Sequence, residues 1–182
     1  SPPPEPALLN MNSSAAPAVG VFACRCCGEC CRGQGGIILS RKDSTRLAAF
    51  LRVSVPDLHA RYAEEKRGKF RLRVAEDGAC IFFINGTRCD VHAAKPDICR
   101  AWPFFRGNLE DPSSLAMAAE GCPGIAAGAR FADFAVTGAR SLLAEGVFID
   151  ECETAGPNSL LTKAALARLA GAGDDAGSGE EA

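Results

Sequence analysis

The chain has 182 residues, 47% of them hydrophobic and 23% charged, with a formal net charge of -2. That length suits one domain, or two small ones, and no run approaches the roughly 18 to 20 apolar residues of a membrane-spanning helix. A soluble, cytoplasmic protein is therefore expected, because the opening residues lack the basic start and apolar run of a secretory signal. The charge is segregated: Arg41 to Arg73 holds ten Lys or Arg against four Asp or Glu. Interspersed acids and the lack of an aromatic stacking pattern favour a solvated helix face there over a nucleic-acid surface.

Taken in chain order, residues 1–20 are rich in proline and poor in core-forming side chains, which predicts a disordered lead-in. Residues 21–170 form the expected folded domain, and residues 171–182 an acidic disordered tail of Gly, Ala, Ser, Asp and Glu. A helix is predicted from Ser40 to Arg52, capped by Asp43 or Ser44, with Leu47, Phe50 and Leu51 on one face. A second helix begins at a Ser54 cap with Pro56 in its first turn, uses Val55, Leu58 and Tyr62, and stops at Gly68.

Alternation through Phe70, Leu72 and Val74, the Asp77-Gly78 pair and the apolar run from Cys80 to Ile84 predict one β-hairpin. From Asn85 to Gly124, Pro96, Pro103, Pro112 and Pro123 predict an irregular segment. Helical spacing resumes from Phe131 to Leu143, weakened by Gly138, and again from Leu160 to Leu169. The expected fold class is α+β: a small, irregular, metal-organised domain with short helices, one hairpin and disordered tails.

Ten cysteines dominate the chemistry, nine of them between Cys24 and Cys122. Cys24, Cys27, Cys30 and Cys31 form Cys-x-x-Cys-x-x-Cys-Cys, a spacing at which thiolates can converge on a metal if Gly28 and Gly33 allow tight turns. A disulfide scaffold and plain buried thiols are the competing readings. Adjacent cysteines pair only under severe strain, and a chain of this size has less need of disulfides than a small secreted domain.

Cys80, Cys89, Cys99 and Cys122 bring the total to eight candidate metal ligands. Eight thiolates could fill two four-cysteine zinc sites, or one four-cysteine cluster and a second site. Cys26 and Cys152 fall outside the pattern.

These residues resemble the CxxCxxCC, or YkgJ-type, cysteine-cluster family, described as zinc- or iron-chelating. The resemblance runs from Cys24 to Cys31, through Gly78, Cys80, Phe82 and Cys89, to Lys95, Pro96, Cys99, Arg100, Trp102, Pro103 and Phe104. It closes at Cys122-Pro123-Gly124 and leaves both tails and the last helices unassigned. Three positions depart from the family pattern: Cys26 is an added thiol, Lys95 stands where arginine is commoner, and His92 where an aromatic residue is. His92 is accordingly read as an outer donor rather than a ligand, although Cys89-x-x-His92 has zinc spacing.

Arg25, Arg32, Arg88 and Arg100 each neighbour a family cysteine, where cations would ease thiol deprotonation. For Arg100 a structural role beneath the site is expected, with Trp102, Phe104 and Phe105 forming a dry shell. Three close thiolates with a remote cysteine before proline place a [4Fe-4S] cluster or iron just ahead of zinc. The expected function is metal chelation through these eight thiolates. The alternatives are a zinc-dependent interaction module contacting a protein partner, and a redox or methyltransferase-like modifying enzyme using the cluster. No phosphate-binding loop, catalytic triad or HExxH motif supports the last.

Overall fold

A computed structural model describes residues 20–32, 37–84, 88–149 and 159–171. The lead-in before residue 20, the acidic tail after 171, Gln34 to Gly36 and Cys152 lie outside the described residues.

Helix α1 (Arg41–Leu51) starts one turn earlier than its expected caps. Ser40 is the N-cap: its Oγ accepts the Asp43 N–H at 3.0 Å, while Asp43 Oδ2 accepts the Ser40 N–H at 3.1 Å. This reciprocal capping box satisfies two otherwise orphaned donors and puts Asp43 at the third helical position rather than at the cap. Helix α2 (Val55–Tyr62) begins at Ser54 and Pro56 as expected, with Ser54 Oγ accepting the Asp57 N–H at 3.1 Å.

The end of α2 differs from expectation. At Ala63 the chain enters strand β1 (Ala63–Lys66), which pairs antiparallel with β2 (Lys69–Leu72) in the register Ala63 to Leu72 and Lys66 to Lys69. Arg67 and Gly68 both have positive φ, 53° and 73°, the geometry of a two-residue turn that matches the strand twist. Gly68 thus closes a hairpin instead of stopping a helix.

The hairpin expected across Asp77-Gly78 shrinks to a bridge between Val74 and Cys80, with Ile81 N–H donating to the Arg73 carbonyl at 3.0 Å. A further short pair, β3 (Phe83–Ile84) and β4 (Arg88–Cys89), sets Cys89 opposite Phe83.

The proline-rich segment is more helical than predicted, with α3 (Asp97–Ala101), α4 (Arg106–Glu110) and α5 (Pro112–Gly121). Pro112 begins α5 rather than breaking it, because a first-turn proline lacks only an N–H that has no helical partner. Asp111 caps the same turn, accepting the N–H groups of Ser113 and Ser114 at 3.0 and 3.2 Å. Helices α6 (Phe131–Glu145) and α7 (Lys163–Gly171) then pack on each other. Gly138, a weak helix former, is where the Phe104 ring lies against α6: a Cβ there would overlap that ring.

Two apolar clusters result. One joins α1, α2 and the first hairpin through Leu39, Leu47, Leu58, Leu72, Phe82 and Val91. The other gathers Phe104, Leu109, Phe134, Leu142, Val147 and Leu166. Each fully buried leucine contributes about 2 kcal/mol through lost apolar surface. Among the described residues no helix is long and apolar enough to cross a membrane.

A polar seam links the two clusters. Asp97, at the start of α3, receives Arg46 at 2.8 Å, Lys42 at 3.1 Å and Arg100 at 3.3 Å, while Arg100 also reaches Glu145 of α6 at 3.3 Å. Lys42 and Arg46, from the basic stretch, therefore serve the tertiary structure as well as the solvated surface.

Candidate metal centre

The thiols are brought together by backbone contacts between segments far apart in sequence. A 3-10 turn, Glu29–Cys31, follows Gly28, whose φ of 82° is left-handed. A Cβ at Gly28 would overlap the Phe83 ring, so glycine is required both for the turn and for this close approach. Cys80 N–H donates to the Cys31 carbonyl at 2.8 Å, and Arg32 bridges to Ala79, which docks the turn on the segment carrying Cys80. The pairing of Phe83 with Cys89 adds β4 to the same wall, and α3 contributes Cys99.

All nine described cysteines are free thiols. Cys31 sits at the centre of a nest, its single S–H having Cys30 and Cys89 as alternative acceptors. Those bonds hold Cys30 down at about 6 and Cys89 at about 7 against burial, and push Cys31 far up. Backbone N–H groups help: the Phe82 N–H bonds the Cys80 sulfur and the Val91 N–H bonds the Cys89 sulfur. Burial raises Cys80, with the charges of Cys89 and Cys30 adding to it. Burial also raises Cys99 to about 12, reinforced by the charges of Cys80, Cys30 and Cys89. Cys30, Cys31, Cys80, Cys89 and Cys99 thus act on one another electrostatically, although no three of their sulfurs lie within 4.8 Å of one another.

The remaining predicted ligands lie elsewhere. Cys24 joins Cys26 and His92, with one ligand atom from each within 4.8 Å of the others and all three residues exposed. Cys27 is exposed and its charge acts on Cys26. Burial, followed by the charge and hydrogen bond of Cys24, raises Cys26. Cys122 is 6% exposed inside the second apolar cluster beside Val21 and Ile125. Its Cys-Pro-Gly element anchors the chain entering the site: Ala23 N–H donates to the Gly124 carbonyl at 2.9 Å, and a Cβ on Gly124 would meet the Ala23 carbonyl.

The cation facing these sulfurs is Lys95. Its charge lowers the pKa values of Cys26, Cys30, Cys89 and Cys99, and its Nζ lies 3.4 Å from His92 Nε2. Burial and then Lys95 push His92 down, keeping its ring neutral. Three of the four arginines next to the cysteines have other partners: Arg32 covers the Phe83 ring at 5.2 Å, Arg88 pairs with Asp90 at 3.6 Å, and Arg100 binds Asp97 and Glu145. Trp102 and Phe105 meet edge to face with ring centroids 5.2 Å apart, and Phe104 packs on Phe134 at 4.9 Å. Sequence reasoning gave Lys95 no electrostatic role and Cys26 no role. The usable signals were Lys95 in Lys-Pro-x-x-Cys and the zinc-like spacing of Cys89-x-x-His92.

Soft thiolates, a neutral imidazole and backbone N–H donors to sulfur form a donor set suited to zinc or iron. The fold and this donor set define a small α+β cysteine-cluster protein able to bind metal. The family model "CxxCxxCC: Putative zinc- or iron-chelating domain" matches residues 23–123, more than half of the chain, and the chain belongs to that family. It is similar to the uncharacterized protein MJ0661 of Methanocaldococcus jannaschii, 27% identical over 84 residues. That match takes in 46% of this chain and 44% of the relative, so the chain spans less than half the relative's length. No solved structure matches the chain.

Proposed function

We propose that the protein is a thiolate metal chelator whose principal site is the nest of Cys30, Cys31, Cys80 and Cys89, with Cys99 behind it. The observation that carries this reading is the docking of the Glu29–Cys31 turn on the Cys80 segment, with the Cys80 N–H donating to the Cys31 carbonyl at 2.8 Å and Cys89 set opposite Phe83. Zinc–sulfur bonds of about 2.3 Å in a tetrahedron put neighbouring sulfurs about 3.8 Å apart, the range of a thiol–thiolate hydrogen bond. A single zinc or ferrous ion would have to draw these sulfurs inward, since no three of them lie within 4.8 Å of one another. A [4Fe-4S] cluster, whose own sulfides hold the cysteine sulfurs farther apart, would need less contraction of the nest. An iron–sulfur cluster is the second reading; it too takes four cysteines, so the fifth thiol, Cys99, does not separate the two.

When bound, the metal supplies a fold-stabilising crosslink between the 3-10 turn, β4 and the Cys80 segment. The protein's residues supply deprotonated sulfur, sulfur-directed N–H groups and the positive charge of Lys95. Purification without oxygen followed by elemental analysis and a visible spectrum tests the assignment. A colourless protein with zinc, or a weakly coloured one with iron and no acid-labile sulfide, supports the mononuclear centre. A brown protein bleached by dithionite supports the cluster, and metal-free protein with quantitative disulfides would overturn both.

A further inference from the structure

Cys26 and His92 both lie outside the eight expected ligands, and the tertiary structure brings both to Cys24. Their ligand atoms all lie within 4.8 Å of one another. A zinc-class ion bound at about 2.3 Å to sulfur and 2.0 to 2.1 Å to nitrogen needs donors just under about 4 Å apart, so a small inward rotation of exposed side chains completes the geometry.

We propose that Cys24, Cys26 and His92 bind a second divalent ion of the zinc class, separate from the cysteine nest, in an exposed three-donor site whose fourth position is open. Three features of the backbone prepare it. Cys26 has φ 51°, a left-handed conformation uncommon for a side chain other than glycine, and this bends the Cys-x-Cys segment locally. Cys24 follows Ala23, which is tied to the Gly124 carbonyl at 2.9 Å. His92 heads a 3-10 turn, His92–Ala94, whose flanks are fixed by buried Val91 and by Arg46 donating to the Ala94 carbonyl at 3.4 Å.

Two thiolates and a neutral imidazole on a divalent ion carry no net charge, so the exposed site has no charge imbalance to bury. Among the described residues no fourth Cys, His, Asp or Glu joins the three at that spacing. The fourth position therefore falls to water or to an incoming donor, the arrangement of exchanging rather than closed zinc sites. The neighbours of the two sites also differ. The donors Cys24, Cys26 and His92 converge within 4.8 Å, and no cysteine of the nest joins them at that spacing.

Zinc(II) titrated into the reduced full chain against a chromophoric chelator tests the site, using the parent protein, His92→Ala and Cys26→Ser. The parent should take up one equivalent more than either variant, and both variants should retain the metal of the nest. With cobalt(II), His92→Ala should shift the ligand-field bands of one ion, and Cys26→Ser should also lower the thiolate charge-transfer intensity. A Cys30→Ser protein that keeps the His92-dependent equivalent separates this site from the proposed function, whose own failure leaves that equivalent in place. Equal stoichiometry in the parent and both variants would overturn the site, as would a Cys24–Cys26 disulfide in anaerobically purified protein that resists reduction by zinc-compatible phosphines.

Discussion

The Asp43 carboxylate accepts the backbone N–H of Asp97 at 2.9 Å, joining two positions 54 residues apart. Asp43 belongs to the first turn of α1 and Asp97 opens α3, the helix that carries Cys99. The same carboxylate completes the capping box and receives Arg46, and Asp43 is only 3% exposed. One residue thus finishes a helix start, caps a second helix and positions one wall of the thiol nest.

Replacing Asp43 with alanine should destabilise the fold by about 3 kcal/mol, because a buried acceptor of several hydrogen bonds is lost and Arg46 is left short of a partner. Asp43→Asn, which keeps an acceptor oxygen, should cost about 1 kcal/mol. Denaturant unfolding of the two variants checks the order. Equal effects would show that the charge matters and the helix-capping bonds do not.

Gly28→Ala should weaken metal binding as well as stability. The substitution places a Cβ in a left-handed turn and inside the Phe83 ring, so the turn bearing Cys30 and Cys31 must shift. A cost of about 2 kcal/mol is expected from backbone strain and overpacking together. Adding Phe83→Leu should recover part of it, as read by metal content and melting temperature.

Gly138→Ala should destabilise the protein although alanine is the better helix former by about 1 kcal/mol. The new methyl group would overlap the Phe104 ring, and overpacking of this kind costs about 1 to 3 kcal/mol. A lowered melting temperature is the expected result; a raised one would mean that Phe104 can move aside freely.

In the metal-free, reduced protein, alkylation followed by peptide mapping should label Cys30 and Cys89 first as pH rises through about 6 and about 7, while Cys99 resists until about 12. The stability consequence has two signs. Cys30 and Cys89 fall below the ordinary thiol value of 9.0, so their thiolates favour the fold above pH 9.0, a contribution lost as pH falls through about 7 and about 6. Cys99 lies above 9.0, so its neutral thiol favours the fold below that pH, a contribution lost as pH rises toward about 12. Chemical denaturation across this range should show both limbs in metal-free protein.

Local chemistry was legible wherever neighbours in sequence decide the outcome. Ser54 and Pro56 start α2 because capping and a fixed proline φ act within one turn, and the apolar spacing after Phe131 marks α6 for the same reason. The Cys-x-x-Cys-x-x-Cys-Cys motif was legible as the mark of a zinc- or iron-chelating family, while the division of its thiols was not. Gly68 was misread because a glycine that stops a helix and one that closes a hairpin have the same local signature. Only the pairing of Ala63 with Leu72 distinguishes them.

The sequence by itself determined the cysteine motif, and with it membership of a zinc- or iron-chelating family. How the thiols divide was decided by tertiary structure alone. The segments carrying Cys30, Cys31, Cys80 and Cys89 dock on one another because Gly28 admits Phe83 and Cys80 bonds back to Cys31, while Cys24 comes together with Cys26 and His92. Spacing along a chain limits which sulfurs can approach one another. Which of them do so depends on contacts between distant segments, and those exist only once the two apolar clusters have packed.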